Sequence, residues 1–196
     1  MNMKKLGTTT IVLIVVAVVL FFWGKSTYNG LVNKEESVTA AWAQVENVYQ
    51  RRADLIPNLV ATVKGYAEHE RETLQAVTDA RTNATSIKVE NLSEAEIAKF
   101  QNAQDQLSQA LGRLLAVREA YPDLKASQNF LELQSQLEGT ENRISVERNK
   151  FNEVAREYNT AIRQFPKNIF ASIFGFEKKG YFQAAAGSDV APKVEF

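Results

Sequence analysis

A single uncharged run near the N-terminus constrains the fold of this chain more than any other feature. The run, residues 6–24, lies between Lys5 and Lys25, and its central part, residues 11–23, contains no polar residue. A helix that rises 1.5 Å per residue would make the run roughly 28 Å long, close to the hydrocarbon thickness of a bilayer. Lipid offers the backbone no hydrogen-bond partner, so a run inside it must be helical. We therefore expect residues 6–24 to lie in the lipid bilayer.

A cleaved signal peptide has the same charged start and apolar run. Cleavage requires small residues in an A-x-A pattern, and residues 21–26, Phe-Phe-Trp-Gly-Lys-Ser, do not provide it. Trp23 at the end of the run is typical of an interfacial anchor. The flanking residues therefore favour a retained anchor over a cleaved signal, and the absence of cysteine excludes lipid attachment through that residue.

The cations beside the run predict the orientation of the anchor. The N-terminal side carries the α-amine, Lys4 and Lys5, whereas the other side carries Lys25 and then no basic residue before Lys34. The positive-inside rule places the N-terminus in the cytoplasm and the rest of the chain outside it.

The charge balance argues against a nucleic-acid partner. Removal of Lys4, Lys5 and Lys25 from the 23 basic residues leaves 20, against 23 acidic residues. A protein that binds nucleic acid needs a net basic face, which this mildly acidic composition does not predict.

Helix-forming residues dominate residues 28–165. Ser93 begins a capping box, and an apolar series at helical spacing follows it as far as Tyr121. A second series predicts a helix from near Ser127 to Phe165, and both series keep the heptad spacing of coiled-coil packing. The core residues expected on these two stripes include Leu107, Leu114, Leu137 and Ile144.

Pro57 interrupts the first helical region and predicts either a kink or a corner between two helices. The absence of a preceding glycine or asparagine turn favours a kink. The matching of helix lengths favours a corner, with Asp54 as the cap of the second helix and residues 82–91 as the connector to the third. We adopt the corner, which gives four antiparallel helices.

These patterns predict an all-α fold of three parts. Residues 1–25 are the membrane anchor, residues 26–165 the antiparallel four-helix bundle, and residues 166–196 an aromatic C-terminal segment with an extended tail.

The residues around Pro57 resemble the LemA family. The matching segments are Glu35 to Leu59, Glu132 to Ile144, Tyr158-Asn159, Phe165 to Asn168, Phe174 to Phe176 and Pro192 to Phe196. The resemblance implies a single-pass bacterial inner-membrane protein with an antiparallel helical bundle and no established catalytic residues. A relative acts in building magnetosome membranes, which implies a role in membrane shaping or organisation.

The residue inventory offers little for catalysis or metal binding. His69 is the only histidine and cysteine is absent, so a metal site and a nucleophile–base pair both lack the required side chains. No phosphate-binding loop, dinucleotide fingerprint or nucleophile elbow occurs. We expect no enzyme activity, cofactor or metal.

Two clusters are candidate contact sites. The polar cluster of Arg51, Arg52, Asp54 and Asn58 is either a partner or subunit contact or a set of caps and ion pairs at the corner, with Glu141 or Glu147 as a partner. We favour caps and ion pairs. The aromatic cluster is Phe170, Phe174, Phe176, Tyr181 and Phe182. It either contacts the membrane or another protomer, or it covers the end of the bundle, and composition favours neither.

The function expected from these features is the non-enzymatic organisation of a membrane or of membrane complexes. The expected partners are the bilayer, further copies of the chain and an unidentified membrane protein. The rival hypothesis is a sensory or ligand-binding ectodomain, since helical bundles hold small molecules between their helices. A polar cavity would favour the rival, and a filled core with an exposed apolar patch would favour the scaffold.

Overall fold

The computed structural model describes residues 7–184, and this part of the chain is all-α, with no strand. The helices are α1 (Thr8–Tyr66), α2 (Arg71–Ser86), α3 (Glu94–Ala116), α4 (Pro122–Lys125), α5 (Gln128–Arg163) and α6 (Lys167–Phe174), with a 3-10 turn at Val117–Glu119. The expected extended tail, residues 192–196, lies outside the described residues. The all-α class is confirmed, whereas several helix boundaries differ from the expectation.

The largest difference concerns Pro57, because α1 continues through it as one helix of 59 residues. The predicted corner at Pro57, with Asp54 as a cap, is therefore wrong. The chain turns instead at residues 67–70, where the Ala67 amide donates to the Val63 carbonyl (2.8 Å).

A contact from α2 explains why α1 tolerates the proline. Pro57 has no N–H, so the carbonyl of Ala53, four residues earlier, loses its helical donor. Arg81 of α2 supplies a replacement, since its Nε donates to the Ala53 carbonyl at 2.8 Å. Ala53 is buried, and without this bond its carbonyl would be deprived of a partner.

The long helices alternate in direction. The α1–α5 pair is antiparallel, because Lys34 bonds to Glu157 and Arg52 bonds to Glu141. Helix α2 descends beside α1, as the Arg81 contact shows. We call the part of the bundle nearer the apolar run the proximal half and the part beyond Arg52 the distal half.

Helix α3 ascends beside α1, since Trp42 contacts Phe100 and Arg52 contacts Ser108. The capping box at its start is confirmed: the Glu96 amide donates to Ser93 Oγ, and the Ser93 amide donates to the Glu96 carboxylate. The expected connector begins later than predicted, because α2 extends to Ser86.

The predicted core stripes are confirmed, since Leu107, Leu114, Leu137 and Ile144 are all buried. One apolar cluster fills the distal half, around Ile56, Leu59 and Phe130. A second cluster fills the proximal half, where Trp42, Tyr49, Phe100 and Phe151 pack edge to face.

The apolar run forms the first part of α1 and stands clear of the bundle. Its large side chains from Ile11 to Phe22 are exposed. Among the described residues, α1 is the one helix with a stretch long and apolar enough to cross a membrane.

Candidate functional site at the proximal end

The return of α5 brings α6 back to the end of the apolar run. The ring of Phe170 packs against Trp23 with 5.2 Å between centroids, and Tyr28 contacts Phe174 at 4.9 Å and Phe176 at 5.7 Å. We call these five aromatic residues the collar. The collar fixes α6 at the level where the uncharged run meets Lys25.

A close approach between α1 and α6 supports the collar. A side chain at Gly24 would place its Cβ 3.1 Å from the Phe170 ring, so glycine allows the two helices to meet there. A cavity of about 380 Å³ opens beside this contact. Its lining is almost entirely apolar and consists of Leu20, Phe21, Gly24, Lys25, Tyr28, Phe170 and Phe174.

Helix α6 presents an apolar face that the other described residues cover only in part. The side chains of Ile169, Ile173 and Phe174 are 48%, 69% and 53% exposed. Contiguous exposed apolar surface is costly in water and commonly marks a protein or membrane contact.

The residues after α6 pack against the bundle, unlike the exposed face of α6. Gly175 ends the helix with a φ of 74°, and residues 177–184, which we call the strap, run extended along the bundle away from the collar. Phe182 of the strap is 5% exposed and stacks on Trp42 at 5.8 Å between centroids. It is therefore core and has no surface for lipid, whereas Tyr181 is half-buried.

Three side-chain amides hold the strap by its backbone. Each amide donates to the carbonyl and accepts from the N–H of the same strap residue, at 2.8–3.0 Å. The pairs are Asn159 with Lys179, Asn152 with Phe182, and Gln101 with Gln183. An extended segment has no internal hydrogen bonds, so these amides satisfy backbone groups that would otherwise be unpaired.

Further contacts fix the start of the strap. The Gly180 amide donates to the Leu92 carbonyl at 2.8 Å, and Lys179 pairs with Glu35 at the same distance. The Lys179 ammonium also lies 5.7 Å from the ring centroid of Tyr158. Burial, together with the charges of Glu35 and Glu177, raises the pKa of the Tyr158 hydroxyl. Tyr158 therefore stays neutral beneath the strap at physiological pH.

The predicted polar cluster separates into one buried and three exposed residues. Arg52 is 2% exposed and donates to Ser108 at 2.8 Å and to the Glu141 carboxylate at 3.0 Å. It also donates to the side chain and carbonyl of Gln104, so it joins α1, α3 and α5. Of the two candidate partners, Glu141 and Glu147, Arg52 pairs with Glu141. The exposed residues are Arg51, Asp54 and Asn58.

Burial beside Arg52 also affects Tyr49. The guanidinium carbon of Arg52 lies 5.0 Å from the ring centroid of Tyr49. Burial raises the pKa of the Tyr49 hydroxyl, although the charges of Arg148 and Arg52 oppose the shift.

Gln101, Asn152 and Asn159 were not identified as contact residues by sequence reasoning. A signal was nevertheless present, because Asn152 and Asn159 are seven residues apart and share a helix face beside buried Phe151 and Tyr158. Within residues 7–184, no group of three or more histidine, cysteine, aspartate or glutamate residues could hold a metal ion.

Several curated proteins are similar to this chain. Magnetosome protein MamQ 2 of Paramagnetospirillum magneticum is 29% identical over 181 residues, which cover 83% of this chain and 66% of the relative. Magnetosome protein MamQ of Magnetospirillum gryphiswaldense is 28% identical, covering 85% of this chain and 70% of the relative. Protein LemA of Metamycoplasma hominis is 26% identical, covering 80% and 69%. The chain thus spans about two thirds of the length of these relatives.

A model of the LemA family matches residues 41–196. The matched part contains most of the contacts described above, from Trp42 and the Arg52 junction through α6 to the strap. With four fifths of its length covered by that match, the chain belongs to the LemA family.

Proposed function

We propose that this protein is a non-enzymatic, membrane-anchored scaffold that organises a membrane or membrane complexes by associating with further copies of itself. The observation that supports this proposal is the exposed apolar face of α6, held by the collar at the end of the apolar run. Such a face is the feature expected of a scaffold rather than of a ligand-binding ectodomain.

The position of α6 indicates that lipid covers its exposed residues. Trp23, Lys25 and Tyr28 are residue types that favour the boundary between hydrocarbon and water. A helix at that level, with Ile173 and Phe174 exposed, would lie along the interface and insert this face among the lipid chains. The scaffold would then contact the bilayer at two places, the span and α6.

The arrangement in the membrane follows from the same features. The run is a retained anchor in this proposal, because Trp23 and Gly24 pack against α6 and removal of the run would break those contacts. The flanking lysines support an orientation with the N-terminus in the bacterial cytoplasm and a bundle of α1, α2, α3 and α5 outside it. The names of the magnetosome relatives support a membrane role. The proposal also includes an unidentified membrane protein as a partner and no nucleic acid.

Lipid exposure of α6 can be measured at one residue. The sequence contains no cysteine, so Ile173→Cys creates a unique site for an environment-sensitive fluorophore in the full chain. Val146→Cys is the matched control, because Val146 is 50% exposed on α5, away from the collar. In proteoliposomes, we expect lipids that carry a quencher near the headgroup to quench the label at position 173 and not at position 146.

Equal quenching at the two positions would contradict the interfacial position of α6. Self-association needs a separate measurement, namely the capture of a second, differently tagged full chain from the same membrane with a lysine-reactive cross-linker. Failure to capture it at native expression levels would contradict the scaffold.

A further inference from the structure

The apolar cavity beside Gly24, which we call the collar cavity, is a groove between α1 and α6. Leu20, Gly24 and Tyr28 follow one another at intervals of four residues, so they line one face of α1. The rings of Phe170 and Phe174 are part of the lining on α6 and stack with 6.4 Å between centroids. From Leu20 to Tyr28 the helix rises about 12 Å. The groove therefore extends along α1, which is the direction of the lipid chains around a membrane-spanning helix.

The lining of the collar cavity determines what can fill it. A buried water molecule needs about two to four polar partners, which almost entirely apolar walls do not offer. An empty cavity would leave the lining atoms without van der Waals contacts. A hydrocarbon chain makes those contacts and needs no polar partner. One leaflet contributes about 15 Å to the hydrocarbon thickness, so the rise of about 12 Å along α1 matches one acyl chain.

Lys25 is the charged residue in this lining. Among residues 7–184, no acidic side chain forms an ion pair with it. The next acidic residue along the chain is Glu35, about 15 Å further along α1. A lysine at the end of an apolar segment extends its ammonium group to the membrane interface, where the headgroup phosphates lie. Lys25 is therefore complementary in charge to the headgroup of a lipid whose chain fills the cavity.

We infer that the collar cavity binds one anionic phospholipid of the bilayer, with an acyl chain between α1 and α6 and the headgroup phosphate on Lys25. The inference rests on the proposed position of the apolar run in the membrane and identifies a lipid that the scaffold holds. Leu20 and Phe21 belong both to the run and to the lining, so a lipid enters the cavity directly from the surrounding leaflet. The bound chain contacts both helices and thus stabilises the packing of α6 against α1.

Two tryptophan reporters distinguish the cavity from the rest of the lipid-facing surface. Phe21 lines the cavity, whereas Phe22 lies at nearly the same depth and is not part of the lining. The full chains carry Trp23→Phe together with either Phe21→Trp or Phe22→Trp, and buried Trp42 remains as a common background. They are reconstituted in phosphatidylcholine vesicles with a minor fraction of brominated phosphatidylglycerol or of brominated phosphatidylcholine. Bromine on the acyl chains quenches tryptophan fluorescence at short range.

The apparent affinity of brominated phosphatidylglycerol at position 21 should be about fivefold that of brominated phosphatidylcholine, as expected from one lysine beside an anionic lipid. The reporter at position 22 should show little preference. Lys25→Gln should abolish the preference at position 21, whereas Lys34→Gln, a loss of the same charge from an exposed site further along α1, should preserve it. Equal quenching by the two lipids at position 21, or a preference that survives Lys25→Gln, would contradict the inference.

The label at position 173 separates the two ways of failing. If headgroup quenchers still quench the label on Ile173→Cys but position 21 shows no preference, the lipid site is overturned and the position of α6 in the membrane stands. If both measurements fail, both proposals are overturned. Protection of position 21 from both brominated lipids, with quenching at position 22, would show that protein fills the cavity and would also overturn the lipid site.

Discussion

The distal and proximal halves of the bundle cover the side of α3 in different ways. In the distal half, helix α2 packs against α3 and α1 through Leu74, Val77 and Ala84. In the proximal half, the strap lies between α3 and α5 as extended chain. A helix satisfies its own backbone, so α2 needs only an apolar face, whereas the strap needs donors and acceptors from its neighbours.

This difference shows what a buried amide can mean in a helical protein. Gln101 and Asn159 are 8% and 4% exposed, beside residues of the apolar stripes. On a helix that packs only against helices, such residues would be costly to bury. Here they are the backbone partners of an extended segment, so polar residues at core positions indicate where a non-helical segment docks.

The largest expected effect tests whether Phe182 is a true core residue. Phe182→Ala should lower the free energy of unfolding by about 3–5 kcal/mol, since it leaves a cavity beside Trp42, Phe100 and Phe151. Ile173→Ala is the control, because Ile173 is 69% exposed on α6 and lies outside the collar, and it should change stability by less than about 0.5 kcal/mol. Urea unfolding of the full chain in detergent measures both. Similar losses for the two variants would remove the distinction between α6 and the strap.

A smaller effect tests the side-chain amides of Gln101, Asn152 and Asn159, which act as clamps on the strap in the proximal half. Asn152→Leu leaves the N–H and carbonyl of Phe182 without a hydrogen-bond partner, so it should lower the free energy of unfolding by about 1–3 kcal/mol. Asn149→Leu, at an exposed position three residues earlier, is the matched control and should be nearly neutral. Hydrogen exchange at the Phe182 amide should accelerate in the first variant alone. Unchanged exchange would show that the clamp does not hold the strap.

In the distal half, Pro57 leaves the Ala53 carbonyl without its helical donor, and Arg81 supplies a donor instead. Arg81→Met should cost about 1 kcal/mol, because half-buried Arg81 is the donor to the Ala53 carbonyl. In a Pro57→Ala background the restored amide should supply that bond, and the cost should fall. Arg71→Met, on the exposed start of α2, controls for loss of charge. Equal costs of Arg81→Met in both backgrounds would contradict the repair.

The smallest effect concerns the loop beneath the strap. The Asn91 amide donates to Glu96, as does the Ser93 amide, and these bonds hold the pKa of that carboxyl below its usual range. A lowered folded-state pKa stabilises the fold above the ordinary glutamate pKa of about 4.3, and this contribution is lost as pH falls through the folded-state value. The melting temperatures of the parent and Glu96→Gln should therefore converge on acidification. A constant difference between pH 6 and pH 3 would contradict this assignment.

Local sequence signals predicted much of the helical framework. The apolar spacing identified Leu107 and Ile144 as core, and Ser93 and Ser127 stand at the starts of α3 and α5 as expected. These features depend on residues within a few positions of one another, so a single sequence contains the information that determines them.

The incorrect or missing predictions depended on distant residues. The donor that compensates for Pro57 is Arg81, which lies 28 positions from its acceptor Ala53. The clamp between Gln101 and Gln183 joins residues 82 positions apart. The different positions of Phe170 and Phe182 have the same cause, since tertiary contacts place Phe170 in the collar and Phe182 in the core.

Helix α1 passes from the apolar run into the bundle without a break, so a tilt of the run also moves the far end of the helix. From Lys25 to Ile56 the helix is about 48 Å long, and no loop separates it from the span. Membrane-spanning helices tilt by about 20° on average, and such a tilt would carry the Ile56 end about 16 Å sideways. In the proposed membrane-anchored arrangement, a change in bilayer thickness that alters the tilt of the apolar run would therefore displace the whole bundle sideways, by a distance set by the length of the helix.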